Sequence, residues 1–266
     1  MMNDEFACSE RAEKCLNPIR SLVFGLKMNP NPDYEMVHLS LGDPTAFGYL
    51  GPPETAIDTL IEMARDPKSH GYVASYGQSN SFITPSQSLL TKYMNMWYVL
   101  HQSLNSHPRQ NLDENRKYVS MADAAQRVPV LHCSALTKRF LVPGWRMGWI
   151  VVCDKFDLAP KLRQGLRNLT GKILGPNTVI QHCIPRILEE TDEKFHNFVI
   201  STYRKNRDIA MKELSNLRGI TLSRPTGAMY LIFKVDFEKT FRHLKDDLTF
   251  CMKMISAVSV FCLPLS

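Results

Sequence analysis

The sequence predicts an α/β fold, on three observations. Short apolar runs bounded by turn residues read as buried strands: Val128 to Leu131, and Trp149-Ile-Val-Val-Cys153, with Pro143-Gly144 between them as a turn signal. Apolar residues recur at helical spacing in Leu158, Leu162, Leu166 and Leu169, and again in Val179, Ile180, Cys183, Ile184, Ile187 and Leu188. The tail reads strand, turn, strand, helix, strand. At 266 residues the chain suits one large domain or two smaller ones with ample core.

In chain order, residues 1–16 read as an arm. Asn29-Pro30-Asn31-Pro32, followed by Asp33, is a turn. Val37-His-Leu-Ser-Leu41 alternates as a short strand, which Gly42-Asp43-Pro44-Thr45 breaks. Pro52-Pro53-Glu54 opens a helix whose apolar stripe is Ile57, Leu60, Ile61 and Ala64, ending at Lys68-Ser69-His70. Gln110 to Lys117 is a polar run, read as a solvated loop that includes Asp113 and Glu114; Met94 to Leu100 packs as helix or strand. Lys161, Arg163, Arg167 and Lys172 form a solvated helix face. A long helix is expected from about Asp192 to Leu217. The tail strands are Ile220 to Ser223 and Ala228 to Phe233, a helix covers 246–256, and Val258 to Pro264 is a last strand.

Bulk properties exclude several function classes. Hydrophobic content is 44%, charged content 22% and net charge +6, with basic and acidic residues interspersed. No basic, aromatic-interleaved patch for nucleic acid stands out. No apolar run reaches the length of a membrane span. The seven Cys residues lack a C-x-x-C pair and read as reduced thiols of a cytoplasmic protein. The eight His residues are scattered, and none pairs as a metal ligand set.

The chemistry concentrates in Ser134-Ala-Leu-Thr-Lys138-Arg-Phe-Leu-Val-Pro-Gly-Trp-Arg146-Met-Gly-Trp149. Lys138 falls just past one strand and Arg146 near the start of the next. Both cations then sit at one end of a buried sheet, where open α/β folds commonly bind ligands. A lysine amine near apolar walls and a second cation loses its proton more easily and can condense with an aldehyde. A guanidinium grips phosphate with two parallel hydrogen bonds. Together they suit pyridoxal 5'-phosphate (PLP); the bland alternative is a pair of solubilising cations beside a turn.

This stretch resembles the PLP-lysine signature of the class I aminotransferases, with the family's spacing of eight between Lys138 and Arg146. It is most similar to the tyrosine aminotransferase branch. The resemblance implies a fold-type I PLP-dependent transferase: a large domain with a parallel-rich sheet, plus a smaller α/β domain. It implies Lys138 as the cofactor-bearing catalytic lysine and Arg146 as a phosphate ligand. Ala135 departs from the pattern, since relatives often carry Ser or Gly there. Leu41-Gly42-Asp43-Pro44-Thr45 resembles the segment at the substrate entrance, which implies Gly42 as a close approach to the amino-acid substrate; the alternative is a simple turn. Gly71-Tyr72-Val-Ala-Ser75-Tyr-Gly77 resembles the motif whose tyrosine crosses the homodimer to the cofactor phosphate. Tyr72 takes that role by resemblance, against core filling. Arg224-Pro-Thr-Gly-Ala-Met-Tyr230-Leu resembles the family's small domain.

The resemblance covers about 17–80 and 118–264, and it lapses over 81–117. There the family carries its phosphate cradle, its ring-stacking aromatic and the Asp that keeps the ring nitrogen protonated. The chain also stops before the strand bearing the family's carboxylate-clamping Arg. The expected organisation is an N-terminal arm and start of the small domain over 1–48, a remnant of the large domain over 49–195, and an interdomain helix with a truncated small domain over 196–266. Two functions are expected: transfer of an aromatic amino acid's amino group to 2-oxoglutarate, or a catalytically inactive truncated remnant that at most binds PLP or dimerises. Loss of middle strands predicts poor solubility in isolation.

Overall fold

The computed structural model describes residues 8–77, 112 and 128–265. Its elements are α1 (Glu10–Glu13), α2 (Pro18–Gly25), β1 (Val37–His38), α3 (Glu54–Arg65), β2 (Val130–Ala135), α4 (Leu136–Arg139), β3 (Gly148–Cys153), α5 (Pro160–Ile173), α6 (Thr178–Glu190), α7 (Glu193–Leu214), β4 (Ile220–Ser223), β5 (Ile232–Val235), α8 (Asp247–Val258) and β6 (Val260–Phe261). They fall into two compact units, Met1–Leu41 with Val235–Ser266, and Gly42–Lys234. The expected features at Met94 to Leu100, at Asp113 and Glu114, and in the first part of the resumed resemblance, residues 118–127, lie outside the described residues.

In the first unit β1 and β6 pair in parallel, Val37 opposite Val260 and His38 opposite Phe261. Asp246 caps α8 by accepting from the Thr249 amide at 2.8 Å. The last strand is shorter than the sequence suggested, because Ser259 adopts a left-handed conformation (φ 55°) and breaks extended backbone before Val260. The Asn-Pro turn is as expected: the Asn31 side chain accepts from the Asp33 amide and donates to the Ala257 carbonyl at the end of α8.

The second unit is organised around the β2–β3 ladder, antiparallel from Val130 opposite Cys153 to Ala135 opposite Gly148. Strand β2 begins at Val130, where Pro129 without an N–H ends the usable ladder, and it runs on past Leu131 to Ala135. All six residues of β3 are buried. Their alternation divides them: Trp149, Val151 and Cys153 join Ala56 of α3 and Cys183, Ile184 and Ile187 of α6. Ile150 and Val152 face Leu166 of α5. Strand β3 is therefore covered on both faces, which is why its sequence is a continuous apolar run.

Three helix faces differ from the sequence reading. In α3 the buried residues are Ala56 and Thr59, with Leu60 and Met63 packed beside them, while Ile57 and Ile61 are exposed. Thr59 tolerates burial because its hydroxyl donates to the Thr55 carbonyl at 2.6 Å. In α5 only Leu166 and Thr170 are buried; Leu162 and Leu169 are exposed, as is Leu158 just before the helix. Arg163 on α5 is not a solvated cation: it pairs with Asp154 at 2.8 Å, whose side chain is almost fully enclosed. Burial pushes the Asp154 carboxyl up, but the Leu158 and Ala159 amides and the Arg163 guanidinium outweigh that and hold it below its ordinary value.

Helix α7 begins where expected, opened by Asp192, which accepts from the Lys194 amide, and it ends at Leu214, before the expected Leu217. In β5 the strand starts at Ile232 rather than Ala228, since Ala228 has φ 62°. Leu112, within the run read as a solvated loop, is instead buried with Leu50, Leu141, Val199 and Tyr203. Its amide donates to Thr226 and its carbonyl accepts from Arg207.

Candidate active site

Lys138 lies on the single turn α4, between the end of β2 and the Pro143–Trp145 turn that leads into β3. Leu136 and Phe140 on either side are fully buried, and the Phe140 amide closes the turn onto the Leu136 carbonyl. The core thus anchors this turn from below while Lys138 is left half-buried. Its Nζ donates to the Gly42 carbonyl, 96 residues away in the chain. Burial lowers the Lys138 proton affinity, the Asp43 carboxylate opposes that, and the Arg146 charge lowers it further.

Arg146 has φ 52° and ends the turn after Trp145. It is exposed, and its Nη1 donates to the Pro143 carbonyl at 2.7 Å. Asp43 folds its own segment: its carboxylate accepts from the Thr45 amide at 2.9 Å and the Thr45 hydroxyl at 2.6 Å. Lys138, Gly42 and Arg146 are therefore brought into one neighbourhood. Tyr72 is 91% exposed, with no hydrogen bond to Lys138 or Arg146 among the described residues.

Sequence reasoning missed Tyr230. A Cβ placed on Gly42 would run into the Tyr230 hydroxyl, so the tyrosine occupies the space that glycine leaves open. Burial raises the Tyr230 proton affinity. The one available signal was the pairing of a sterically minimal residue at 42 with an aromatic in a separate motif. Gly42→Ala should cost about 1 kcal/mol, the low end for overpacking, because the obstacle is the tip of a flexible side chain. Tyr230→Phe should recover about half of that cost in the double variant, read as a coupling in thermal or denaturant melts. Equal costs in both backgrounds would refute the contact.

Asp43→Asn removes the carboxylate charge that raises the Lys138 proton affinity. The amine should then titrate at lower pH than in the unaltered chain, and Arg146→Met should move it the opposite way. NMR titration of the lysine ε-methylene signals measures both shifts.

Residues 106–266 match the family model described as aminotransferase class I and II. The chain is 27% identical to mouse tyrosine aminotransferase in an alignment 363 residues long, covering 96% of this chain and 80% of the mouse protein. Since the chain has 266 residues, at least 97 of those positions face no residue of it. It is 33% identical to Caenorhabditis elegans tyrosine aminotransferase over 55% of this chain and 31% of that protein. Among solved structures it is similar to tyrosine aminotransferase from Leishmania infantum, with a TM-score of 0.80 at 19% identity over 98% of this chain and 90% of the other. Alanine aminotransferase from Pyrococcus furiosus superposes with a TM-score of 0.72 at 15% identity, covering 96% and 90%. The two structural likenesses establish the fold-type I architecture. The family match spans more than half of the sequence and includes both Lys138 and Arg146, and this protein belongs to the class I and II aminotransferases.

Proposed function

We propose that the chain is a PLP-dependent aminotransferase of the tyrosine type, moving the amino group of an aromatic amino acid to 2-oxoglutarate, with Lys138 as its catalytic residue. One observation carries this: a half-buried lysine of lowered proton affinity rests on the Gly42 carbonyl, within the field of Arg146. An amine that sheds its proton readily, with a guanidinium nearby, fits a phosphorylated aldehyde.

Lys138 would hold the cofactor through its amine. Arg146 would hold its phosphate, with Tyr72 reaching the phosphate from the second subunit of a homodimer. An exposed Tyr72 suits that use. PLP when bound supplies a ring that accepts the electrons of the bond broken at the substrate α-carbon. Lys138 Nζ, once free, would take the proton from that carbon and return it, as general base and then acid. The Gly42 carbonyl would orient the amine between those roles, and the Gly42 backbone would border the substrate.

A second reading is favoured by the 97 or more unmatched positions against the mouse relative: a remnant that captures PLP or dimerises without turnover. An assay with tyrosine and 2-oxoglutarate on PLP-treated chain decides between them. Turnover abolished in Lys138→Ala supports transamination; cofactor capture with no turnover supports the remnant.

A further inference from the structure

Cys251 and Cys262 stand apart from this chemistry, in the first unit. Cys251 is on α8 and only 3% exposed; Cys262 directly follows β6 and is partly open to solvent. Their sulfurs are 3.6 Å apart. The approach is not one of sequence neighbours, since the chain must leave α8 through the left-handed Ser259 and run back along β6 to bring them together.

We propose that Cys251 and Cys262 are a thiol-oxidation site, which a hydroperoxide converts to an intramolecular disulfide joining α8 to the end of β6. This goes beyond the aminotransferase reading and does not depend on it. A disulfide needs its sulfurs at about 2 Å, and the two sulfurs already stand in contact at 3.6 Å.

The two thiols differ in a way that assigns their roles. Contact with Cys262, then burial, raises the Cys251 proton affinity, while contact with Cys251 lowers that of Cys262. Cys262, the more open, is the attacking sulfur, and Cys251, only 3% exposed, resolves. The Cys262 thiolate attacks the terminal peroxide oxygen; the O–O bond breaks and the alcohol leaves with a proton, giving a sulfenic acid. The Cys251 sulfur then attacks the Cys262 sulfur, the S–O bond breaks and water leaves. In total two thiols and one hydroperoxide give a disulfide, an alcohol and water, with two electrons passing from sulfur to oxygen.

The sequence makes the product easy to see. Cleavage after Lys245 and Lys253 places Cys251 in the peptide 246–253 and Cys262 in 254–266. Folded chain treated with hydrogen peroxide, blocked with N-ethylmaleimide and digested without reductant should yield these two peptides linked, about 2 Da below their summed mass and separable by dithiothreitol. The same treatment in guanidinium should lower that yield severalfold. In Cys251→Ser, dimedone should label Cys262, while in Cys262→Ser it should leave Cys251 unlabelled. The proposal is overturned by oxidation that consumes Cys8 or Cys15 without the link, by equal yields folded and unfolded, or by preferential dimedone labelling of Cys251. The digest of the unaltered chain decides even if a variant does not fold.

Discussion

Phe140→Ala should destabilise the second unit by about 3–5 kcal/mol, the cost of deleting a fully enclosed aromatic ring and leaving its cavity. Phe140 is 0% exposed and belongs to the cluster of Leu136, Val142, Met147, Trp149 and Ile187. Its ring also meets His196 of α7 edge-on, centroids 5.6 Å apart. The loss is large against a typical total of about 5–15 kcal/mol. For a unit of this size it should lower the melting temperature by about 6–20 °C. Phe156→Ala is the control, since Phe156 is 54% exposed and its removal should fall within about 0.5 kcal/mol of zero. Similar costs for the two would mean that Phe140 is not packed as described. The same variant loosens the turn that carries Lys138, because it removes the buried ring that pins the turn and leaves only the backbone bond to Leu136. Lys138 should therefore gain solvent, and its proton affinity should rise toward that of free lysine.

What the letters revealed, and what they concealed, follows from how far each feature reaches along the chain. The β2–β3 ladder was legible because a strand covered on both faces must be apolar throughout, and Trp149 to Cys153 is. The placement of Lys138 between the strands followed from the Pro143-Gly144 turn. Helix α7 announced its start through the Asp192 cap. The buried face of α3 was misread because spacing alone rewards large apolar residues, whereas packing against α6 selected Ala56 and a self-satisfied Thr59. The Arg163–Asp154 pair was hidden for a similar reason: a charge on a helix reads as solvated until its enclosed partner is placed. The site itself was half visible. Lys138 and Arg146 lie eight residues apart and could be paired by eye, but the Gly42 carbonyl and the Tyr230 ring arrive from opposite ends of the unit. No local pattern encodes that meeting. The side chains at 42 and 230 make sense only as a pair in space, one small because the other is there.

Lys138→Ala should abolish covalent capture of PLP: borohydride added in the cofactor's presence should label one position in the unaltered chain and none in the variant. The lowered proton affinity sharpens this into a pH test. An amine must be neutral to add to an aldehyde, and Lys138 is neutral over a wider range below 10.5 than an ordinary lysine. The yield of label should therefore persist to lower pH than for a free lysine derivative treated in the same way. Stability carries the same information with a definite sign. Between the lowered folded value and the ordinary unfolded value near 10.5, the unfolded chain binds more protons at this group. Its contribution to stability therefore rises with pH across that interval and is least favourable below it. Lys138→Met keeps the length of the side chain and removes the charge, so it should stabilise the chain at neutral pH. That gain should shrink as the pH climbs toward 10.5. A Lys138→Met variant less stable than the parent at pH 7 would mean that the amine is held by favourable contacts rather than strained by burial. Label persisting in Lys138→Ala would move the cofactor to another lysine altogether.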